Sequence, residues 1–145
     1  MAKRSAVLIV EARYYAHISD VLLKGAEAAL DEAGARYDRV TVPGAFEIPA
    51  AIALAARTRK YDGYVALGCV IRGETTHYDH VCHECARGIQ NLALAGHIIG
   101  FGVLTVENVD QAFARARVDE KNKGGEAVRA CLAMIGLRHK LKVRR

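Results

Sequence analysis

The sequence predicts an α/β fold: a doubly wound parallel sheet of four strands with helices on both faces. Three observations carry that prediction. Short apolar runs alternate with stretches of helical period, in the order β-α-β-α-β-α-β-α-α. The first and third runs are apolar on both faces, as parallel strands covered on each side must be. No repeat or low-complexity segment interrupts the alternation.

The first strand is Ala6 to Val10. Ile18, Val21, Leu22, Gly25, Ala26, Ala29, Leu30 and Ala33 then recur at three- and four-residue intervals, a complete amphipathic helix stripe that Gly34 stops. A second strand spans Arg36 to Val42, and Pro43-Gly44 breaks it. Pro49 suits the first turn of a helix, where its missing N–H does no harm, and that helix is expected to end near Arg59. Tyr64 to Val70 reads as the third strand. The polar loop Ile71 to Thr76 feeds a helix from His77 to about Ala95, with Thr76 and Asp79 at capping-box spacing. The fourth strand runs from His97 to Val106. Asn108 and Gln111 have similar cap spacing, with Val109, Ala112, Phe113 and Ala116 as the stripe beneath. A last helix carries Val128, Cys131, Leu132 and Ile135, after which Gly136 and a basic tail at 138–145 end the chain.

The 145 residues suit one domain able to bury a core without metal or disulfide staples. The net charge of +5 is unevenly placed. Arg138, Lys140, Lys142, Arg144 and Arg145 supply it, and the 16 basic and 16 acidic residues before them balance. A neutral body argues against a broad nucleic-acid-binding face. No apolar run approaches the ~20 residues that a membrane helix needs. The apolar run after Lys3-Arg4 meets Glu11 and Arg13 with no small-residue cleavage site, so it reads as a strand and not as an export signal. Cys69, Cys82, Cys85 and Cys131 are expected as free thiols in a cytoplasmic protein.

In doubly wound sheets ligands bind beyond the carboxyl ends of the strands. That directs attention to Glu11–Tyr15, Pro43–Ile48, Ile71–His77 and Thr105–Asn108. The loop Arg72-Gly73-Glu74-Thr75-Thr76-His77 ends at a helix N-terminus, where free N–H groups and two hydroxyls favour an anion and His77 could exchange a proton. An ordinary capped helix with a surface histidine has the same spacing and is the commoner occurrence. Arg13-Tyr14-Tyr15 offers aromatic faces for a planar heterocycle, or a rim over the core. Phe46 and Glu47 pair a ring with a carboxylate; a loop anchor and a solvated acid fit equally. Arg115, Lys121 and Lys123 could meet a phosphate or form a solvated face. His77, His80 and His83 with Cys82 and Cys85 tempt a metal reading, but no second ligand cluster exists, and Cys85 falls on the buried stripe between Val81 and Ile89. There is no P-loop, Gly-x-Gly-x-x-Gly or Gly-x-Ser-x-Gly. The set suits condensation of a planar, hydroxylated molecule with a small phosphorylated one.

Val42-Pro43-Gly44-Ala45-Phe46-Glu47-Ile48-Pro49 and the run from Ala66 to Asp79 closely resemble lumazine synthase. Phe101 to Asn108 and Asn122-Lys123-Gly124 continue the resemblance in order, over roughly residues 6–137. It implies flavodoxin-like layering and the penultimate step of riboflavin synthesis, without metal or organic cofactor. 5-Amino-6-(D-ribitylamino)uracil would condense with 3,4-dihydroxy-2-butanone 4-phosphate to give 6,7-dimethyl-8-ribityllumazine, phosphate and water.

By the same resemblance His77 transfers protons, Glu74 and Thr75 hold the phosphorylated substrate, Arg115 pairs with its phosphate and Lys123 lies near it. Ala45, Phe46 and Glu47 meet the ribityl chain; Cys69, Val70 and Ile71 meet the pyrimidine; and Phe101 comes across a subunit boundary. Tyr14 stands at a stacking position where relatives often have Phe, and Tyr15 where Asn is common. The link Arg117-Val118-Asp119-Glu120-Lys121 lacks the glycines usual in 60-subunit shells, and the segment before the first strand is short, so a homopentamer is expected. Two other classes stand beside the enzyme: a non-catalytic lumazine- or flavin-binding protein, which the intact Glu74-to-His77 loop opposes, and a metal-dependent hydrolase, which would carry stoichiometric zinc.

Overall fold

The computed structural model describes residues 4–144; residues 1–3 of the lead-in and Arg145 of the basic stretch lie outside them. The chain runs β1 (Ala6–Ala12), α1 (Ala16–Glu32), β2 (Arg36–Val42), a 3-10 turn (Ala45–Glu47), α2 (Ile48–Ala56), β3 (Gly63–Ile71), α3 (His77–Leu94), β4 (Ile99–Val106), α4 (Val109–Ala116) and α5 (Lys123–Lys140). The four strands form one parallel sheet in the order β2-β1-β3-β4. The α/β doubly wound reading therefore stands.

Two apolar layers enclose the central strands. Val7, Ile9, Val65 and Leu67 face α1 and α5, packing on Ala26, Leu30, Val128 and Cys131. Leu8, Val10 and Ala66 point the other way, onto Ile48 and Ile52 of α2 and Cys85 and Ile89 of α3. Alternate residues of one strand feed opposite layers, which is why β1 and β3 read as continuous apolar runs. A smaller cluster joins Ile18 and Leu22 of α1 to Leu104 and Val106 of β4 and Ala112 and Ala116 of α4.

Several boundaries differ from expectation. Strand β1 continues two residues past Val10, because Glu11 is buried as part of an ion-paired group and does not mark a loop. Helix α2 stops at Ala56, and Arg59 takes a left-handed backbone (φ 56°) in the turn that follows. Strand β4 begins at Ile99, since His97 is still in the turn after Gly96 (φ 107°). Helix α5 runs through Gly136 to Lys140, so the basic stretch starts inside a helix. Arg138 is held there, 76 residues away from its partner Asp62, by a 2.8 Å hydrogen bond to the Asp62 carbonyl. Asn108 caps α4 as its spacing implies, its Oδ1 accepting from Gln111 N–H at 2.9 Å.

Glycines set how closely α5 approaches the sheet. A Cβ on Gly100 would lie 2.8 Å from the Ala127 carbonyl carbon and closer still to its oxygen, so backbone would have to move. Gly136 has open space at the same position. Gly100→Ala is expected to cost roughly 1–3 kcal/mol through forced separation of α5 from β4. Gly136→Ala is expected to gain about 0.5–1 kcal/mol from helix propensity. Urea unfolding of the two variants beside the parent protein measures both.

Candidate active site

The sheet reverses direction between β1 and β3: the chain moves outward from β1 to β2, then crosses back to β3. Loops leaving the two strands there diverge and leave a crevice, the usual ligand position in such sheets. A pocket of about 600 Å³ occupies it. Tyr14 and Tyr15 follow β1, Ala45, Phe46 and Glu47 follow β2, and Cys69, Val70 and Ile71 are the end of β3. Gly73, Thr75 and His77 close the remaining side.

Two aromatic rings are exposed at the crevice. Tyr14 is 77% exposed and Phe46 55% exposed, unusual for large aromatics in a chain with an adequate core. Tyr14 meets Tyr15 edge to face, with centroids 4.9 Å apart, which steadies the outer ring against the half-buried inner one. Cys69 is buried in the wall. That burial pushes its thiol up to about 11, so it stands in the wall as a neutral, apolar surface.

The loop after β3 is tied down from three sides. Arg72 donates its backbone N–H to the Val106 carbonyl (2.9 Å), and its Nε to Glu107 Oε2 (2.8 Å). Its guanidinium also lies 4.3 Å above the Tyr78 ring and 3.5 Å from Asp79. The expected Thr76–Asp79 capping box does not form. Thr76 has helical backbone angles (φ −71°, ψ −2°) and makes no side-chain cap, whereas a capping residue is usually extended. Thr75 Oγ1 instead accepts from His77 N–H at 3.3 Å, and Asp79 turns to Arg72.

Nine of the thirteen residues singled out in the sequence line this one pocket: Tyr14, Ala45, Phe46, Glu47, Cys69, Val70, Ile71, Thr75 and His77. Glu74 is exposed in the same loop but outside the lining. Phe101 stands on β4, 46% exposed. Arg115 donates to the Gln111 carbonyl on α4 (3.1 Å), and Lys123 pairs with Glu126 (3.1 Å) at the start of α5. None of these last three lines it. Tyr78 and Val81 do line it and were not singled out; their signal was position, one and four residues past His77 on the same helix. Cys85 is buried and Cys82 half-buried, while His77, His80 and His83 are exposed.

A family profile described as 6,7-dimethyl-8-ribityllumazine synthase matches residues 4–139. The chain belongs to the lumazine synthase family. A 6,7-dimethyl-8-ribityllumazine synthase of Sphingopyxis alaskensis is 57% identical over 137 residues, covering 94% of this chain and 97% of that protein. One of Bartonella tribocorum is also 57% identical, over 95% of this chain and 93% of its own. The relative in Rhizobium meliloti, named 6,7-dimethyl-8-ribityllumazine synthase 1, is 56% identical over 93% of this chain and 92% of its own. In this lumazine synthase fold the matched span takes in every strand and all the loops that line the pocket.

Because the folded state holds the Cys69 proton more tightly than an unfolded thiol near 9.0, its contribution to stability is complete below pH 9 and is lost as pH rises through about 11. Iodoacetamide at pH 7.5 is expected to leave Cys69 unmodified, with labelling rising only toward pH 11. Peptide mass spectrometry across that pH series is the check.

Proposed function

We propose that this chain condenses 5-amino-6-(D-ribitylamino)uracil with 3,4-dihydroxy-2-butanone 4-phosphate, forming 6,7-dimethyl-8-ribityllumazine and releasing phosphate and water. This is the penultimate step of riboflavin biosynthesis. Family membership gives the reaction its class, and one observation supports it in this chain: a single crevice gathers aromatic faces, a carboxylate, a hydroxyl-lined loop and a histidine.

The residues suggest how the work is divided. Tyr14 and Phe46 present ring faces to the pyrimidine, and Cys69, Val70 and Ile71 give it an apolar seat. Glu47 accepts hydrogen bonds from ribityl hydroxyls beside Ala45. Glu74 and Thr75 hold the phosphorylated ketone. The pyrimidine's primary amine attacks the ketone carbon and one water leaves as an imine forms. Phosphate is then eliminated to give an enol that becomes a carbonyl, and the ribityl-bearing amine closes the ring on that carbonyl with loss of a second water. His77 carries protons between these steps. Juxtaposing two bound reactants supplies much of the acceleration.

Phosphate needs cations, and Arg115 and Lys123 lie outside the pocket of their own chain. A neighbouring copy bringing Phe101, Arg115 and Lys123 to the open side would complete the site, which supports a homopentamer with its active sites between subunits. The link between α4 and α5 supports a pentamer over a 60-subunit shell. It contains no glycine and turns instead on Asn122, which is left-handed (φ 44°) and caps α5 through Gly125 N–H at 3.2 Å. The four free cysteines support a reducing, cytoplasmic location. No helix among the described residues is long and apolar enough to cross a membrane.

Mixing purified protein with both substrates and following lumazine absorbance tests the reaction; no acceleration over the spontaneous rate would reject it. His77→Ala is expected to slow turnover roughly 10- to 100-fold, at or below the usual range for a proton-transfer group, without altering assembly. Arg115→Ala is expected to raise KM for the phosphorylated ketone more than it lowers kcat. Sedimentation velocity should give a species of five chains, and a particle near sixty would overturn the pentamer.

A further inference from the structure

The turn that carries Thr75 and His77 into the crevice has little apolar anchoring of its own. Every residue from Arg72 to His77 is exposed, and a Cβ placed on Gly73 would meet no atom within 4 Å. A segment with so few buried contacts opens at little cost unless other bonds restrain it.

The restraint converges on one side chain. Strands β3 and β4 end in register, Ile71 opposite Val106, so Arg72 and Glu107 leave the sheet side by side. The Arg72 N–H donates to the Val106 carbonyl at 2.9 Å. Its side chain then reaches in two directions. Nε donates to Glu107 Oε2 at 2.8 Å and lies 3.1 Å from Oε1. Nη1 is 3.5 Å from Asp79, and the guanidinium lies over the Tyr78 ring. Tyr78 and Asp79 belong to the first turn of α3, so both ends of the turn are fastened to the same guanidinium. Arg72 itself does not line the crevice.

Glu107 decides where that guanidinium lies. It is the nearer of the two carboxylates, and its own position is fixed. Its N–H donates to Gln111 Oε1 at 2.8 Å, Val106 before it is buried, and Asn108 after it caps α4. Stability does not explain the group. The side chains of Arg72, Glu107 and Asp79 are 42%, 56% and 44% exposed, and ion pairs so open to water add little to folding. Arg87 and Glu84 make a comparably exposed pair at 2.6 Å further along α3, away from the crevice lining. The Arg72 group differs in closing a turn that carries two crevice residues.

On the reading of the crevice as the condensation site, we propose that Glu107 is a positioning residue for the reaction: through Arg72 it sets where Thr75 and His77 stand. Direct capture of the substrate phosphate by Arg72 predicts the opposite effect, because removing Glu107 would free the guanidinium for substrate.

Steady-state kinetics with both substrates separate the two. Glu107→Ala is expected to lower kcat about tenfold and to raise KM for the phosphorylated ketone, since small displacements of catalytic groups cost that much or more. KM for the pyrimidine and Tm should stay at parent values. Glu107→Gln keeps an acceptor for Nε and should recover part of the loss. Arg72→Lys keeps the charge but not the fork that reaches Glu107 and Asp79 together, so it should behave like Glu107→Ala. Arg87→Ala should match the parent. In Glu107→Ala, parent kinetics, a lower KM for the ketone, or a fall in Tm with both KM values raised would each overturn the proposal. No lumazine formation by the parent would reject the reading of the crevice, whereas an active parent beside an unchanged variant rejects this proposal alone. Hydrogen–deuterium exchange needs no turnover and tests the tie itself. Amides of residues 72–80 should exchange about fivefold faster in Glu107→Ala, with the rest of α3 unchanged. Equal exchange in that segment would overturn the proposal whatever the kinetics.

Discussion

The contact between α5 and the strands beneath it governs the layout of the whole chain. Three glycines face that helix: Gly63 toward Cys131 and Ile135, and Gly100 and Gly102 toward Ala127. Gly124, on α5 itself, lies against the backbone of Leu22 and Ala26 in α1. Each position lacks a side chain where another group already fills the space. The helix can therefore lie almost on the sheet, and its apolar row (Ala127, Val128, Cys131, Ile135) is buried in the layer between them. With one side of the sheet closed this tightly, α1 is held against α5, and the first turn of α1 is held beside the end of β1. Tyr14 and Tyr15 occupy the short connection between those two fixed ends.

The crevice then follows from topology. Adjacent strands whose chains leave in opposite directions cannot both be covered by the same loop, so the gap between β1 and β3 stays open. Ala45 and Cys69 at that gap belong to the buried layers, but the side chains beyond them are not needed for packing. Tyr14 and Phe46 remain exposed at no cost to the core, and the Gly73–Thr76 turn is steadied from outside by Arg72 bridging Glu107 and Asp79. The Glu107 end of that bridge belongs to the loop after β4. That loop lines none of the pocket, yet it positions the turn that does.

Much of this was legible in the residues. The bounds of β2, the stripe of α1 and the starts of α3 and α4 follow from local pattern, and of the thirteen residues that the family resemblance marked, nine line the one crevice. What was hidden depends on distance along the chain. Gly136 reads as a stop because glycine disfavours helix, but Ile135 is anchored in the core and Arg138 reaches the turn before β3, so the helix continues. Thr75 and Thr76 cannot be told apart by spacing, and backbone angles decide which hydroxyl meets the His77 N–H. Phe101, Arg115 and Lys123 do not line the crevice; Arg115 and Lys123 are engaged by Gln111 and Glu126 on their own helices.

Strand β2 poses a problem that the other strands do not. Most of its residues are exposed, so no apolar pattern tells it how far to slide along β1. Its address is written in polar partners. Tyr37 reaches Glu27 of α1, Asp38 accepts from Tyr61 on the opposite face, and Arg39 sits 2.6 Å from the buried carboxylate of Glu11, which Arg13 grips from the other side. Sliding β2 by one residue would turn Arg39 to the wrong face and leave Glu11 short of a partner with 1% exposure, a penalty of roughly several kcal/mol. The strand is thus indexed by a charge lock, and the Pro43–Glu47 wall of the crevice, which hangs from its end, inherits that alignment.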